Sequence, residues 1–370
     1  DNKGIKRALE ILELVLPLKP DEETVIALLL QDLYLTDLIN DETVKANFGN
    51  GVAVLLASLK KLLDLNYGDN DKTFQMEILR RMFLTMAKDL RVILIWLALR
   101  LYELQHLEGV KDVAARLRVS RETMNIYVPI ALRLGIYNIK IQIEDLAFKY
   151  LYPEEYKMVL SEVEKFGKGK RGIVEQICAE IRRFFESNGI EAKVTGRFKN
   201  IYSIYRKMKK KNTETLDDIY DIFAIRVVLP AKVDAKGNRI FDHLYMALGL
   251  IHGEWKPLSS RFKDYVAVPK PNGYKSLHTV VLGLAPKNFD QPVEIQIRDD
   301  QMHSEAEYGV ASHWIYKSVG SVPVERLDSQ VEWLKGLSHV AEFFASESES
   351  DVLRRLDLDV FRDRIFVLTP

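Results

Sequence analysis

From about residue 5 to residue 160 apolar residues recur every three or four positions, as in Thr73 to Arg100 and Arg121 to Leu134, with breaks at Gly109 and at Leu134-Gly135-Ile136. That period is helical, so residues 1–160 are read as an all-α domain. The stretch Gly167-Lys-Gly-Lys-Arg-Gly172 has the composition of a flexible basic linker, and the amphipathic run Ile173 to Asn188 completes a segment of linker helices over 161–189. Beyond it the period changes. β-rich runs near 190–195, 220–229, 265–268, 277–284 and 292–298 alternate with helical runs near 200–211, 241–252 and 300–315. The expectation is a multidomain chain whose second domain, 190–340, is α+β with a mixed five-stranded sheet and flanking helices. A helix near 324–345 and the polar spacer Ser346 to Asp351 lead into the last segment, 341–370.

Composition narrows the function classes. A chain of 370 residues is long for one core. Its 53 basic residues balance 53 acidic ones, which argues against nucleic-acid binding driven by overall charge. The single cysteine, Cys178, excludes an internal disulfide and points to a reducing, cytoplasmic compartment. Apolar runs such as Val92 to Leu99 are too short to span a bilayer and no signal peptide opens the sequence, so no membrane partner is expected.

Three segments carry chemistry. The first is Lys270-Pro-Asn-Gly-Tyr-Lys-Ser-Leu-His278, followed by Val293-Glu-Ile-Gln-Ile-Arg298. Alternation puts Val293, Ile295 and Ile297 on one strand face and Glu294, Gln296 and Arg298 on the other, although an ordinary half-exposed strand reads the same way. Asn272-Gly273 demands a tight turn, around which lysines, a tyrosine, a serine and a histidine crowd; such a turn brings a ring to a base and cations to phosphates. The second segment runs from Val194 to Lys207. Gly196 permits a sharp entry into a helix on which Lys199, Ser203 and Lys207 share one face near the N-terminus, a place for a polyphosphate or simply a solvated basic face. In the third, Asp218 to Leu229, a carboxylate at the strand start, Asp221, can hold Mg²⁺ together with Glu294, although a lone Asp before a strand more commonly serves turn chemistry alone. Asp221 and Arg226 fall on opposite faces of a regular strand, so one site requires Asp221 to sit where the strand bends or begins.

Together these segments resemble the RelA/SpoT family of long (p)ppGpp synthetases of the stringent response. The motifs are Thr195 to Ser203, Tyr220 to Arg226, Asp264 to Tyr274, Leu277-His278, and Glu294 to Arg298 with His303, Glu305, Glu307, Gly309 and His313, and the pattern runs from about 20 to 320. The resemblance implies a nucleotidyltransferase-like synthetase domain that transfers the β,γ-pyrophosphate of ATP to the 3′-hydroxyl of GDP or GTP and releases AMP. It implies that Arg197 and Arg226 sandwich the adenine and that Lys199, Ser203 and Lys207 hold the ATP phosphates. Asp221 and Glu294 bind Mg²⁺, and Glu294 is similar to the residue proposed to deprotonate the attacking hydroxyl. Tyr274 stacks on guanine, with Lys270, Asn272, His278, Arg261, Lys263 and Gln296 on the acceptor side. Phosphoryl-type transfer needs alignment and charge neutralisation more than covalent catalysis, and this set supplies both.

In members that also degrade the alarmone, the N-terminal helical domain is an HD hydrolase whose two histidines, His-Asp pair and later Asp bind a catalytic metal. Here no histidine precedes His106, Gln31-Asp32 stands where His-Asp is expected, and Leu99 stands at the later Asp. A degenerate HD domain without hydrolase activity is expected. The loop Arg261-Phe-Lys-Asp264 has the basic form typical of bifunctional members, which leaves GDP or GTP open as acceptor. Asp363 to Pro370 looks like the first strand of a regulatory domain cut short; in the family that half contacts ribosome and uncharged tRNA. The competing readings are an inert module that senses alarmone or RNA, which should have lost Asp221 or Glu294, and another nucleotidyl transferase, which should carry two acids close together on one strand.

Overall fold

A computed structural model describes residues 2–63, 89–216, 222–270, 272–284 and 291–309. Asp221, the first part of Thr73 to Arg100, the helix expected at 324–345, the spacer Ser346 to Asp351 and the strand Asp363 to Pro370 lie outside the described residues. Among the described residues two compact units separate: 2–111 with 122–131, and 112–121 with 132–309. The helical residues from 132 to 160 therefore group with the second unit.

The first unit is helical: Asn2–Val15, Glu22–Leu35, Asp41–Phe48, Asn50–Leu63 and Arg91–His106. Its helix starts follow capping chemistry. Asp21 accepts the Thr24 N–H at 2.9 Å and Asn40 the Thr43 N–H at 2.9 Å, each satisfying an amide that the helix leaves unpaired. Arg91–His106 is apolar nearly all round, as its sequence VILIWLAL requires, and is buried accordingly. Its one buried cation, Arg100, donates to the Tyr127 hydroxyl at 2.7 Å and pairs with Glu122 at 3.1 Å.

The second unit is built on a mixed sheet of six strands, not the five expected, in the order β1 (Lys193–Phe198), β2 (Phe223–Leu229), β8 (Val293–Asp299), β7 (Leu277–Leu282) and β5 (Lys256–Pro257), with β6 (Lys263–Asp264) also on β7; the extra strand arises because the short β5 and β6 both pair with β7. β2 and β8 are parallel and the other pairs antiparallel. A separate ribbon joins β3 (Lys232–Val233) to β4 (Arg239–Ile240). The strand expected at 265–268 is absent because Asp264 turns its carboxylate back onto the Val266 and Ala267 N–H groups, at 2.9 and 2.8 Å, and this Asx turn ends the strand at Asp264. The sheet's apolar face, with Ile225, Val227, Ile295, Ile297, Leu277 and Val281, packs with Ile177, Ile181 and Phe185 of the helix Pro153–Ser187, with Ile204 and Met208 of Ile201–Lys211, and with Leu244 and Ile251 of Asp242–Glu254.

Two local expectations are corrected. Gly167 to Gly172 is not a linker: the helix Pro153–Ser187 runs through it without a break. Each glycine costs a helix about 1 kcal/mol relative to alanine, but Val159 before it and Val174, Ile177, Ile181 and Phe185 after it are buried in one core, which offsets that penalty. Gly196 does not open a helix; it lies inside β1 opposite Ile225. A Cβ there would stand 2.3 Å from Val174 Cγ1, so the glycine is what lets the long helix approach the strand.

Candidate active site

Cross-strand register decides which side chains meet, because directly paired residues point to the same face of a sheet. One row runs Lys263 (β6), His278 (β7), Gln296 (β8), Arg226 (β2) and Thr195 (β1). The next row runs Val280, Glu294, Ala224 and Arg197. Residues from four separate sequence motifs thus converge on one face, opposite the apolar core.

Glu294 is the centre of the arrangement. Gln296 Nε2 donates to its Oε1 at 3.0 Å, His278 Nδ1 lies 3.3 Å from the same oxygen, and Lys199 Nζ lies 3.8 Å from Oε2. Burial pushes this carboxyl's pKa up, but the His278 and Gln296 hydrogen bonds and the Lys199 charge outweigh it and hold it down at about 2. Glu294 is therefore ionised at any physiological pH. Burial also lowers the pKa of His278, so the imidazole is neutral. Its Nε2 sits 2.8 Å from the Tyr274 hydroxyl. With Nδ1 facing a carboxylate, the proton belongs on Nδ1 and the Tyr274 O–H donates to Nε2, which fixes the tautomer.

The acceptor-side loop has the tight turn its sequence demands. Gly273, at φ 77°, donates to the Lys270 carbonyl at 2.8 Å and Lys270 donates to the Tyr274 carbonyl at 3.1 Å. Asn272 Nδ2 donates to the Tyr137 hydroxyl at 2.7 Å, tying the loop to the start of the helix Tyr137–Leu151. The Lys270 ammonium lies 4.7 Å from the Tyr265 ring centre and 5.3 Å from that of Tyr274. Arg261 stands on the exposed turn Ser259–Arg261, and none of these hydrogen bonds or ion pairs reaches it.

Ser203 and Lys207 lie four residues apart on the helix Ile201–Lys211, but Lys199 is not on it: it precedes the N-cap residue Asn200, and its N–H donates to the Ile222 carbonyl at 2.9 Å. The first two amides of that helix are, however, already occupied. Asp145 accepts the Tyr202 N–H at 2.9 Å, the Ile201 N–H at 3.2 Å and Asn200 Nδ2 at 2.9 Å. Neighbouring Glu144, 3 % exposed, accepts from Lys140 at 2.5 Å and from Asn200 at 3.1 Å. An anion here must then use the Lys199, Ser203 and Lys207 side chains, not those two amides. No motif marks Asp145; the one sequence signal is a pair of adjacent acids, Glu144-Asp145, inside the helix Tyr137–Leu151.

Arg197 and Arg226, on neighbouring strands, approach a shared carboxylate, Glu307, on the helix Asp300–Tyr308, at 3.8 and 2.9 Å. That helix ends at Gly309, φ 55°, where a Cβ would meet the Leu134 carbonyl oxygen at 2.1 Å. Asp221 lies outside the described residues, and β2 begins two positions later at Phe223.

This face carries cations, the ionised Glu294 carboxylate with Glu307 against its arginines, and the Tyr274 and His278 rings. Residues 196–321, which include it, match the model described as "Region found in RelA / SpoT proteins", and residues 1–137 match the HD domain. The chain thus joins an HD domain to a RelA/SpoT region. A GTP pyrophosphokinase of Myxococcus xanthus is 36% identical over 98% of this chain and 46% of its own length. The bifunctional (p)ppGpp synthase/hydrolase SpoT of Escherichia coli K12 is 37% identical over 95% of this chain and 48% of its own length. The chain spans about half the length of these curated relatives. The crystal structure of small alarmone synthetase 1 from Bacillus subtilis bound to its product pppGpp aligns at 24% identity with a TM-score of 0.32, covering 51% of this chain and 100% of that one.

Proposed function

We propose that the chain is a (p)ppGpp synthetase that transfers pyrophosphate from ATP to the 3′-hydroxyl of GDP or GTP. The observation that carries this reading is the register that sets Lys263, His278, Gln296 and Arg226 in one row beside Glu294 and Arg197 in the next. Donor-side and acceptor-side residues then flank the ionised Glu294 carboxylate. Arg197 and Arg226 hold the adenine, Lys199, Ser203 and Lys207 the phosphates, and Tyr274 the guanine once Lys270 moves from its ring to the acceptor's phosphates. Mg²⁺ fits this donor set: Glu294 is a hard, ionised oxygen ligand, and such a site needs one or two carboxylates with phosphate oxygens completing the shell. Asp221 would supply the second. Bound there, the cation would neutralise charge developing on the transferred group. A carboxyl whose pKa is held at about 2 despite burial, by the His278 hydrogen bond first and then by the Lys199 charge and the Gln296 hydrogen bond, accepts a full proton poorly, so Glu294 serves the attacking hydroxyl by accepting its hydrogen bond and orienting it.

The HD domain is proposed to have lost its hydrolase activity. Gln31 occupies the expected histidine position, fully buried, with neither amide atom hydrogen-bonded among the described residues. Asp32 beside it is bound by Arg7 at 2.5 Å. Leu99, at the expected aspartate position, offers no ligand atom.

Purified chain incubated with ATP, Mg²⁺ and either GDP or GTP should yield AMP and a guanosine nucleotide longer by one pyrophosphate, separated by anion-exchange chromatography. A chain that binds ATP yet forms no product with either acceptor would favour the inert binding module instead. Release of pyrophosphate from ppGpp in the presence of Mn²⁺ would overturn the loss of hydrolase activity alone.

A further inference from the structure

Three guanidinium groups crowd around one carboxylate oxygen in the second unit. Glu307 Oε1 lies 2.9 Å from Arg226 Nη2, 3.4 Å from Arg298 Nη2 and 3.8 Å from Arg197 Nη1. Arg226 and Arg298 are 8 % and 1 % exposed, so water does little to screen them from each other. The other acids nearby are committed elsewhere: Arg239 takes Asp299 at 2.8 Å and Glu305 at 3.1 Å. His303, on the same helix, is kept neutral by burial and by the Arg298 and Arg226 charges, its pKa lowered to about 4, so it adds no further cation to the group. Like charges in a partly desolvated site spread apart unless something holds them, and stacking on a base requires each guanidinium plane to be held in one orientation.

We propose that Glu307 is a positioning residue for the donor nucleotide, holding Arg226 and Arg197 together against their mutual repulsion and that of Arg298 so that the two planes receive the adenine. It touches no reacting atom. The inference rests on the reading of the donor as ATP held between these arginines, and it assigns to Arg298 the part of a buried charge that makes the carboxylate indispensable.

The test uses the full chain, with a non-hydrolysable ATP analogue and GDP each titrated calorimetrically, and with KM and kcat measured beside them. Glu307→Gln keeps the volume and removes the charge. It should weaken the ATP analogue about tenfold, the scale of one lost cation–π contact, with GDP affinity and kcat at saturating ATP changed less than about threefold. Adding Arg298→Gln removes one of the repelling charges, so the double variant should bind the ATP analogue more tightly than Glu307→Gln alone. A residue needed only for packing would give the opposite: losses that add, falling equally on both nucleotides. That result, or unchanged ATP affinity in Glu307→Gln, overturns the proposal. If circular dichroism shows Glu307→Gln unfolded, Glu307→Asp, which retracts the charge by one methylene, is judged by the same selectivity for ATP. A wild-type chain that binds no ATP analogue would overturn the donor reading itself, a result distinct from equal binding by wild type and variant.

Discussion

Asp145→Ala removes the acceptor that closes the start of the helix Ile201–Lys211. It orphans the Tyr202 and Ile201 amides and Asn200 Nδ2, which bond to it at 2.9, 3.2 and 2.9 Å. Loss of a helix cap costs about 0.5–2 kcal/mol, and a third orphaned donor in a part-buried site adds about 1 kcal/mol. Against this, burial raises the Asp145 pKa beyond what its hydrogen bonds recover, so its charge carries a penalty at neutral pH that the alanine relieves. The sign follows: a carboxyl raised above 3.8 in the folded state disfavours folding above its folded pKa, and that penalty fades as pH falls toward 3.8. The net loss for alanine is about 2 kcal/mol, which lowers the melting temperature of a unit this size by about 4–8 °C. Asp145→Asn keeps one carbonyl acceptor without the charge and should lose less than half as much. Because Ser203 and Lys207 ride on this helix and Lys199 immediately precedes its N-cap, the alanine should also raise KM for ATP more than KM for the guanine nucleotide. Thermal melts followed by circular dichroism, with steady-state kinetics on the same samples, give both readouts. Asp145→Ala melting within about 1 °C of wild type, or Asp145→Asn losing more than Asp145→Ala, would refute the capping argument.

Glu294→Gln should leave the fold intact and reduce kcat more than tenfold, a loss above about 1.4 kcal/mol, and Asp221→Asn should do the same; smaller losses in a direct assay would remove the metal assignment. Tyr274→Ala should raise KM for the guanine nucleotide and Arg197→Ala that for ATP, each by about 1–3 kcal/mol of stacking, and equal effects on both substrates would defeat the pairing. For His303 the folded pKa of about 4 lies below its ordinary 6.5, so the unfolded chain takes up the proton first and stability falls as pH drops from 6.5 to 4. Allowing for screening at this partly exposed ring, the loss is about 1–2 kcal/mol, and it should vanish in His303→Gln when melting is followed against pH.

Much of the α+β domain was legible because its strands are runs of β-branched residues and its motifs lie at turns. β2, FAIRVVL, is buried at every position, β7 alternates as its sequence does, and β8 alternates only as far as Ile297, after which Arg298 and Asp299 are buried as well. Gly196 was misread because a glycine before a basic helix looks like a helix entry, whereas the requirement it meets is tertiary: the approach of Val174. The glycines at 167–172 misled for the related reason that their local penalty is overridden by apolar positions a turn or more away. Asp145 and Tyr137 could not be found by motif, since each acts on a partner more than fifty residues distant in sequence, Tyr202 and Asn272 respectively. Glu307 was visible as part of a pattern, but its place among three arginines depends on the register of β1, β2 and β8.

The central claim is that pyrophosphate moves as a unit from ATP to the acceptor's 3′-hydroxyl, and the most direct test follows the β-phosphorus. Chain supplied with ATP labelled at that atom, Mg²⁺ and GDP should produce unlabelled AMP and a labelled guanosine tetraphosphate in equal amounts. Label remaining in ADP beside a guanosine triphosphate would mean that a single phosphoryl group had moved, and would contradict the account.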